Sequence, residues 1–207
     1  MIAIVDYKAG NLTSVRLALE SIGVPCEITS EPERIYAAER VIFPGVGAAG
    51  EAMGNLRGLR LLEPLREVVS QGVPFLGICL GTQVIFEFSE ENDGVRCIGL
   101  VPGTVKRFTP PDPTCKIPHM GWNTVEFKAA HPLFDGIEDG SEFYFVHSYY
   151  PEPSDATYII GETEYAGVRF ASAVGRGSLF AVQFHPERSG RIGLRLLENF
   201  CRWDGTC

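Results

Sequence analysis

No stretch of this 207-residue chain stays apolar for the roughly 20 residues that a membrane-spanning helix needs. Cations are scarce: 18 Lys and Arg stand against 26 Asp and Glu, a net charge of −8. That balance argues against a general nucleic-acid-binding role. The first residues, Met1 to Asp6, lack the basic region of a signal peptide and read as a strand. Six cysteines are present, but none forms a CxxC pair and no Cys/His group has zinc spacing. The thiols are therefore expected to be reduced, the chain cytoplasmic, and no metal or cofactor is expected. Internal repeats and low-complexity tracts are absent too. Histidine is limited to four residues, which shortens the search for a catalytic base.

The composition, 45% hydrophobic and 21% charged, fits one globular domain over residues 1–207 with a core large enough to need no disulfide. Ile2 to Val5 is a buried-strand run, and Asn11 is placed to cap a helix with Leu12, Val15, Leu19 and Ile22 on its apolar face. Pro25 to Thr29, Arg40 to Phe43 and Val73 to Ile78 read as further strands. A helical region interrupted by Pro64 separates the last two. This order predicts a parallel sheet flanked by helices. From about Val95, short β-rich segments between Pro and Gly predict an added antiparallel region. The run Pro110-Pro111-Asp112-Pro113 reads as a surface loop, and a last amphipathic helix carries Ile192, Leu196, Leu197 and Phe200.

Chemistry concentrates at Gly77-Ile78-Cys79-Leu80-Gly81-Thr82-Gln83. A strand meets a lone cysteine with glycine two residues away on either side, and a helix is predicted over Thr82 to Phe88. That is the pattern of a nucleophile elbow, whose crowded turn favours residues without Cβ and sets the sulfur at a helix N-terminus. A thiol nucleophile needs a base and a group to orient it. His185 ends an apolar strand, and Glu187 lies two residues on, on the same side of an extended chain. His131 reads as structural, and His119 and His147 as wall or interface residues. Pro44-Gly45-Val46-Gly47 follows a predicted strand. With the Leu80 amide it offers backbone N–H groups for an oxyanion, and no GK[ST] follows to make it a phosphate loop.

These residues resemble the class I (triad) glutamine amidotransferases. Asp6-Tyr7-Lys8-Ala9-Gly10-Asn11-Leu12, Pro118-His119-Met120-Gly121-Trp122-Asn123 and Gln183-Phe184-His185-Pro186-Glu187-Arg188-Ser189-Gly190 narrow the likeness. They are similar to the glutaminase subunits of imidazole glycerol phosphate synthases, enzymes of histidine biosynthesis. Lys8 departs from that pattern, where relatives often carry glycine. The resemblance implies that Cys79 attacks the side-chain amide of L-glutamine, His185 carries the proton to ammonia and Glu187 orients His185. It places Gln83, Ser148 and Tyr149 at the amino-acid end of the substrate, and Gly45, Val46 and Gly47 at the oxyanion. It also implies a separate cyclase subunit with a (β/α)8 barrel, which 207 residues are too few to contain. Asn11, Trp122, Tyr144 and Arg188 fall in the segments that face that partner. A partner-driven ordering of the loop from Pro44 to Gly50 is the expected route of activation.

Three rivals differ in what they predict. A glutaminase for anthranilate, guanylate or pyridoxal phosphate synthesis shares the elbow and the His-x-Glu pair, but not Asp6 to Leu12 or Met120 to Asn123. A cysteine peptidase of similar fold needs an extended peptide groove. A non-catalytic glutaminase-like module predicts the loss of a triad member, whereas Cys79, His185 and Glu187 are all present.

Overall fold

In the computed structural model, which describes residues 1–110, 112 and 114–206, helices cover both faces of a mixed eight-stranded sheet. The first half alternates strands and helices: β1 (Ile2–Val5), α1 (Leu12–Ser21), β2 (Cys26–Thr29), α2 (Pro32–Tyr36), β3 (Arg40–Gly45), α3 (Ala49–Gly58), α4 (Leu62–Ser70), β4 (Phe75–Cys79) and α5 (Leu80–Val84). The second half is mostly strand: β5 (Phe86–Ser89), β6 (Val95–Arg96), β7 (Val101–Arg107), β8 (His119–Thr124), β9 (Glu126–Phe127), β10 (Glu142–His147), β11 (Tyr149–Pro153), β12 (Ile159–Tyr165), β13 (Val168–Arg176) and β14 (Leu179–Val182), closed by α6 (Gly190–Arg202).

The main sheet runs β2-β1-β3-β4-β14-β13-β12-β9. Its first five strands are parallel, and β14 is the hinge of the architecture: parallel to β4 but antiparallel to β13. The antiparallel part therefore extends the parallel sheet directly. Two smaller sheets, β10-β8 and β11-β7-β5-β6, close over its carboxyl end. Alternation within β1 shows how both faces are filled. Ala3 and Val5 pack with Phe43, Met53, Leu56 and Leu65 on one side. Ile2 and Ile4 pack with Val15, Leu19, Leu196 and Phe200 on the other. All five residues of β4 are buried, as a strand covered on both faces requires.

Several local expectations need correction. The helix after the elbow spans only Leu80–Val84, and Phe86-Glu87-Phe88-Ser89 is a strand paired with β6 and β7. Alternating aromatics there favour a pleated surface over a second helical turn. Helix α2 and strands β6 and β11 carried no periodic signal. Pro44 and Gly45 belong to β3 instead of a loop. Asn11 precedes α1 but makes no side-chain cap; its backbone is left-handed at φ 77° and its side chain turns elsewhere. Lys8 holds the left-handed turn expected of glycine, at φ 65°, with its N–H donated to Asp6 Oδ1 at 2.9 Å. The run through Pro110 includes Pro111 and Pro113, which lie outside the described residues, as does Cys207. The five described cysteines are free thiols. No helix among the described residues is long and apolar enough to cross a membrane.

The elbow's glycines have distinct steric reasons. A Cβ on Gly81 would stand 1.8 Å from the Phe43 carbonyl oxygen, and one on Gly77 would stand 2.8 Å from Ala181 Cβ. The first obstacle is backbone of β3, which cannot yield without parting β3 from α5. Gly81→Ala is therefore expected to lower Tm by about 5 °C or more. Gly54→Ala, in α3 with nothing within 4 Å of a new Cβ, should leave Tm level or raise it slightly. Thermal melts of the two variants side by side check this; equal melting points would contradict it.

Candidate active site

Parallel strands β3, β4 and β14 end in register, with Gly45 beside Cys79 and Val182 beside Ile78. Their carboxyl ends deliver three groups to one crevice, the usual binding place of an open α/β sheet. Cys79 sits between β4 and α5 with φ 53° and ψ −110°, a backbone costing about 1–3 kcal/mol that the flanking strands must hold. As the first residue of α5, Leu80 presents an N–H with no partner inside that helix.

His185 is extended, as a residue before proline tends to be, and the chain then enters a 3-10 turn, Pro186–Arg188. The turn, more than a continuing strand, brings His185 Nδ1 to 2.7 Å from Glu187 Oε1, with both side chains fully buried. His185 Nε2 is buried without a hydrogen-bond partner. Burial opposes charge on this ring, but the charge and hydrogen bonding of Cys79 and Glu187 outweigh it and raise the pKa to about 10. The Glu187 carboxylate on one side and the Cys79 sulfur on the other thus favour a charged imidazole. Helix α6 packs against this turn because Gly193 has no Cβ to strike the Pro186 carbonyl 1.9 Å away.

A cavity of about 400 Å³ opens onto Cys79 and is lined by Gly47, Gln83, Glu91, Ser148 and Tyr149 among others. Val46, Leu80 and His147 also line it, so His147 is a wall residue as its surroundings suggested. Gly45 does not line it. It ends β3, and a Cβ there would lie 1.8 Å from Tyr7 Oη. The turn left between strand and helix is short, because the Ala49 and Gly50 amides are held by Glu91 Oε2 at 2.7 Å and Asn92 Oδ1 at 3.0 Å. The part of this turn not held by such bonds is thereby narrowed to Val46, Gly47 and Ala48. No group of His, Cys, Asp and Glu among the described residues is arranged to hold a metal.

Sequence reasoning missed Glu91, Tyr7 and Gln183. Glu91 adds a carboxylate to the cavity from a short turn with no motif. Tyr7 is buried against Phe43, its ring centroid 4.9 Å away. Its hydroxyl has no partner, and burial and the nearby Cys79 charge raise its pKa. The four residues assigned to a partner face form one connected patch behind the triad. Trp122, 54% exposed, meets Tyr144 edge-on at 6.2 Å. The Tyr144 carbonyl accepts the His185 N–H at 2.9 Å. Asn11 Nδ2 donates to Glu187 Oε1 at 2.6 Å, and Arg188 Nε lies 3.9 Å from the same oxygen. Met120, 62% exposed, extends the patch.

A strained cysteine at a strand-helix turn, a buried His–Glu pair facing it and a polar cavity define a class. Residues 3–203 match the family model described as glutamine amidotransferase class-I. A solved glutamine amidotransferase superposes over 100% of both chains with a TM-score of 0.75 at 16% identity, a likeness of fold. More specific relatives are a protein of Desulfovibrio desulfuricans, 53% identical over 97% of this chain and 93% of its own, and one of Nitrosococcus oceani, 48% identical over 99% and 98%. Both are named imidazole glycerol phosphate synthase subunit HisH. The chain belongs to this HisH family.

Two other histidines behave oppositely to His185. Burial lowers His119 to about 4. It lowers His147 to about 3, with the Tyr149 carbonyl opposing and the charges of His119 and His185 assisting. Both rings are neutral in the fold but bind protons near pH 6.5 once unfolded. Their stability contribution is complete above 6.5 and is lost as pH falls, toward 4 for His119 and toward 3 for His147. Urea-melt stability is expected to decline over that window, and His119→Gln should make the decline shallower. An unchanged slope in the variant would contradict the assignment.

Proposed function

We propose that this chain is the glutaminase subunit of an imidazole glycerol phosphate synthase, hydrolysing L-glutamine to glutamate and ammonia for histidine biosynthesis. The observation that carries the reading is the buried pair of His185 and Glu187, 2.7 Å apart, facing a cysteine on a strained elbow. Residues 1–207 act as one amidotransferase domain, in the cytoplasm.

The Cys79 thiolate attacks the substrate's side-chain amide carbon, and the carbonyl oxygen becomes an oxyanion. The Leu80 amide and an amide of the Val46–Gly47 turn are the donors positioned for it. His185, an imidazolium, gives its proton to the departing ammonia, leaving a γ-glutamyl thioester. Neutral His185 then takes a proton from water, which attacks the thioester; the sulfur leaves as thiolate, the thiolate–imidazolium pair is restored, and glutamate is released with its carboxyl proton passing to solvent. Glu187 keeps the imidazole oriented and stabilises its charge throughout. Both Gln83 N–H groups are engaged by the Tyr149 carbonyl and Gln183 Oε1, each at 3.0 Å. The Gln83 oxygen is thus left for a donor on the substrate, and Glu91 supplies a carboxylate suited to its α-ammonium. Ser148 and Tyr149 complete that end of the cavity.

The partner is a (β/α)8-barrel cyclase that receives the ammonia. Its docking face is the patch of Met120, Trp122, Tyr144, Asn11 and Arg188, where an exposed aromatic and an arginine fit an interface anchor. The test is glutamate release by the purified chain, alone and with a barrel cyclase carrying its ribulosyl nucleotide. Turnover should rise sharply with the loaded cyclase. Cys79→Ala should fall to background, and Glu187→Gln should lose on the order of 10²–10⁴ in kcat. Turnover indifferent to the cyclase would retain the glutaminase and discard the histidine pathway.

A further inference from the structure

The Cys79 sulfur has a neighbour outside the triad. Gln183, fully buried just past β14, places Nε2 at 3.7 Å from Cys79 Sγ. Which end of this amide faces the sulfur is decided by a directed chain of hydrogen bonds. Gln183 Oε1 accepts from Gln83 Nε2 at 3.0 Å, so its nitrogen must turn to the sulfur. Gln83 cannot reverse, because its Nε2 also donates to the Tyr149 carbonyl at 3.0 Å, which only accepts. The same carbonyl lies 2.7 Å from His147 Nδ1, which must therefore carry the proton. His147 Nε2 then accepts from His119 Nδ1 at 2.9 Å. His119 Nε2 accepts from Asn123 Nδ2 at 3.2 Å. Flipping either glutamine amide would set two acceptors or two donors face to face in a buried space.

We propose that Gln183 is a fourth catalytic side chain, a hydrogen-bond donor to the Cys79 sulfur that stabilises the thiolate for attack. Gln83, His147 and His119 are positioning residues that keep its nitrogen turned toward the sulfur. This rests on Cys79 being the nucleophile. A donor bonds a charged acceptor more strongly than a neutral one, so it discriminates thiolate from thiol. The sulfur loses some intrinsic nucleophilicity as it is stabilised, but by less than the gain in ionised fraction.

The other groups facing the sulfur are His185 with Glu187 behind it after β14, Tyr7 after β1 and the Val146 carbonyl of β10 at 4.0 Å. His147 and Glu91 line the cavity. None of these groups is hydrogen-bonded to the Gln183 side chain, so the rate of Cys79 alkylation by iodoacetamide against pH, followed on the Cys79 peptide of the full chain, reads its contribution. Gln183→Leu should move the profile up by about one pH unit, a tenfold loss of thiolate at a given pH below it. Gln183→Glu should move it further, with kcat for glutamine lowered and KM held within about twofold. His119→Phe, which cuts the chain one link before His147, should move it the same way by less; an unmoved profile there would remove the positioning residues. A folded Gln183→Leu with native profile and native kcat overturns the proposal. Should that variant not fold, the Gln183 side-chain amide signal in ¹⁵N NMR decides: it should move in Cys79→Ala against the unmutated chain, and an unmoved signal is equally fatal. Glutamate release surviving in Cys79→Ala would instead overturn the nucleophile itself.

Discussion

The site depends on one constraint, the left-handed backbone at Cys79. With φ 53° and ψ −110°, this residue spends stability that only its surroundings can return. The return comes from register. Gly45 beside Cys79 and Val182 beside Ile78 leave β4 no slack to unwind into the crevice. Thr82 Oγ1 ties the first turn of α5 to the Val182 carbonyl at 2.6 Å. A slip of one residue between β4 and β14 would send the sulfur to the other face of the sheet and separate it from His185. Catalytic geometry and strand pairing are therefore the same constraint at two scales.

What the sequence made legible was chemistry of short range. The elbow is a local steric problem, and glycines at 77 and 81 are its local solution. His185 and Glu187 are two residues apart, so a single turn joins them. The parallel first half could be read from apolar runs in strands and an apolar stripe in α1. The helix expected through Phe88 failed because the competing information, pairing of Phe86–Ser89 with β6 and β7, is tertiary. Asn11 failed as a cap for a related reason: its side chain serves Glu187, 176 residues away. Glu91 could not be foreseen, since its use depends on a fold that brings it to α3 and the cavity. Gln183 was half legible. It stands two residues before His185, as Glu187 stands two after, so the alternation that singled out one carboxylate also marked this amide.

Three buried histidines illustrate why residue type alone decides little. His185 is buried between the Cys79 sulfur and the Glu187 carboxylate, and its charge is stabilised despite the desolvation. His119 and His147 are as deeply buried but face each other, a carbonyl and an asparagine amide, and remain neutral. The first holds a proton readily and the second pair cannot do so cheaply. A neutral pair with fixed tautomers is instead a rigid spacer, setting the Tyr149 carbonyl where Gln83 needs it.

The patch proposed to meet the cyclase and the back of the triad are built from the same atoms. Asn11 and Arg188 both approach Glu187 Oε1, at 2.6 and 3.9 Å, and Tyr144 holds the His185 backbone. On the same patch, Trp122 sits on β8, the strand that begins at His119 and carries Asn123. A partner bound there would touch the support of His185 from behind without entering the cavity beside Cys79. On the proposed reading, docking would be coupled to proton transfer through two side chains and one turn, distances over which packed groups move together. It requires no rearrangement of the sheet, whose register must stay fixed for Cys79 to remain strained. The part free to respond is small: the turn at Val46, Gly47 and Ala48, and the orientation of an imidazole held between a sulfur and a carboxylate.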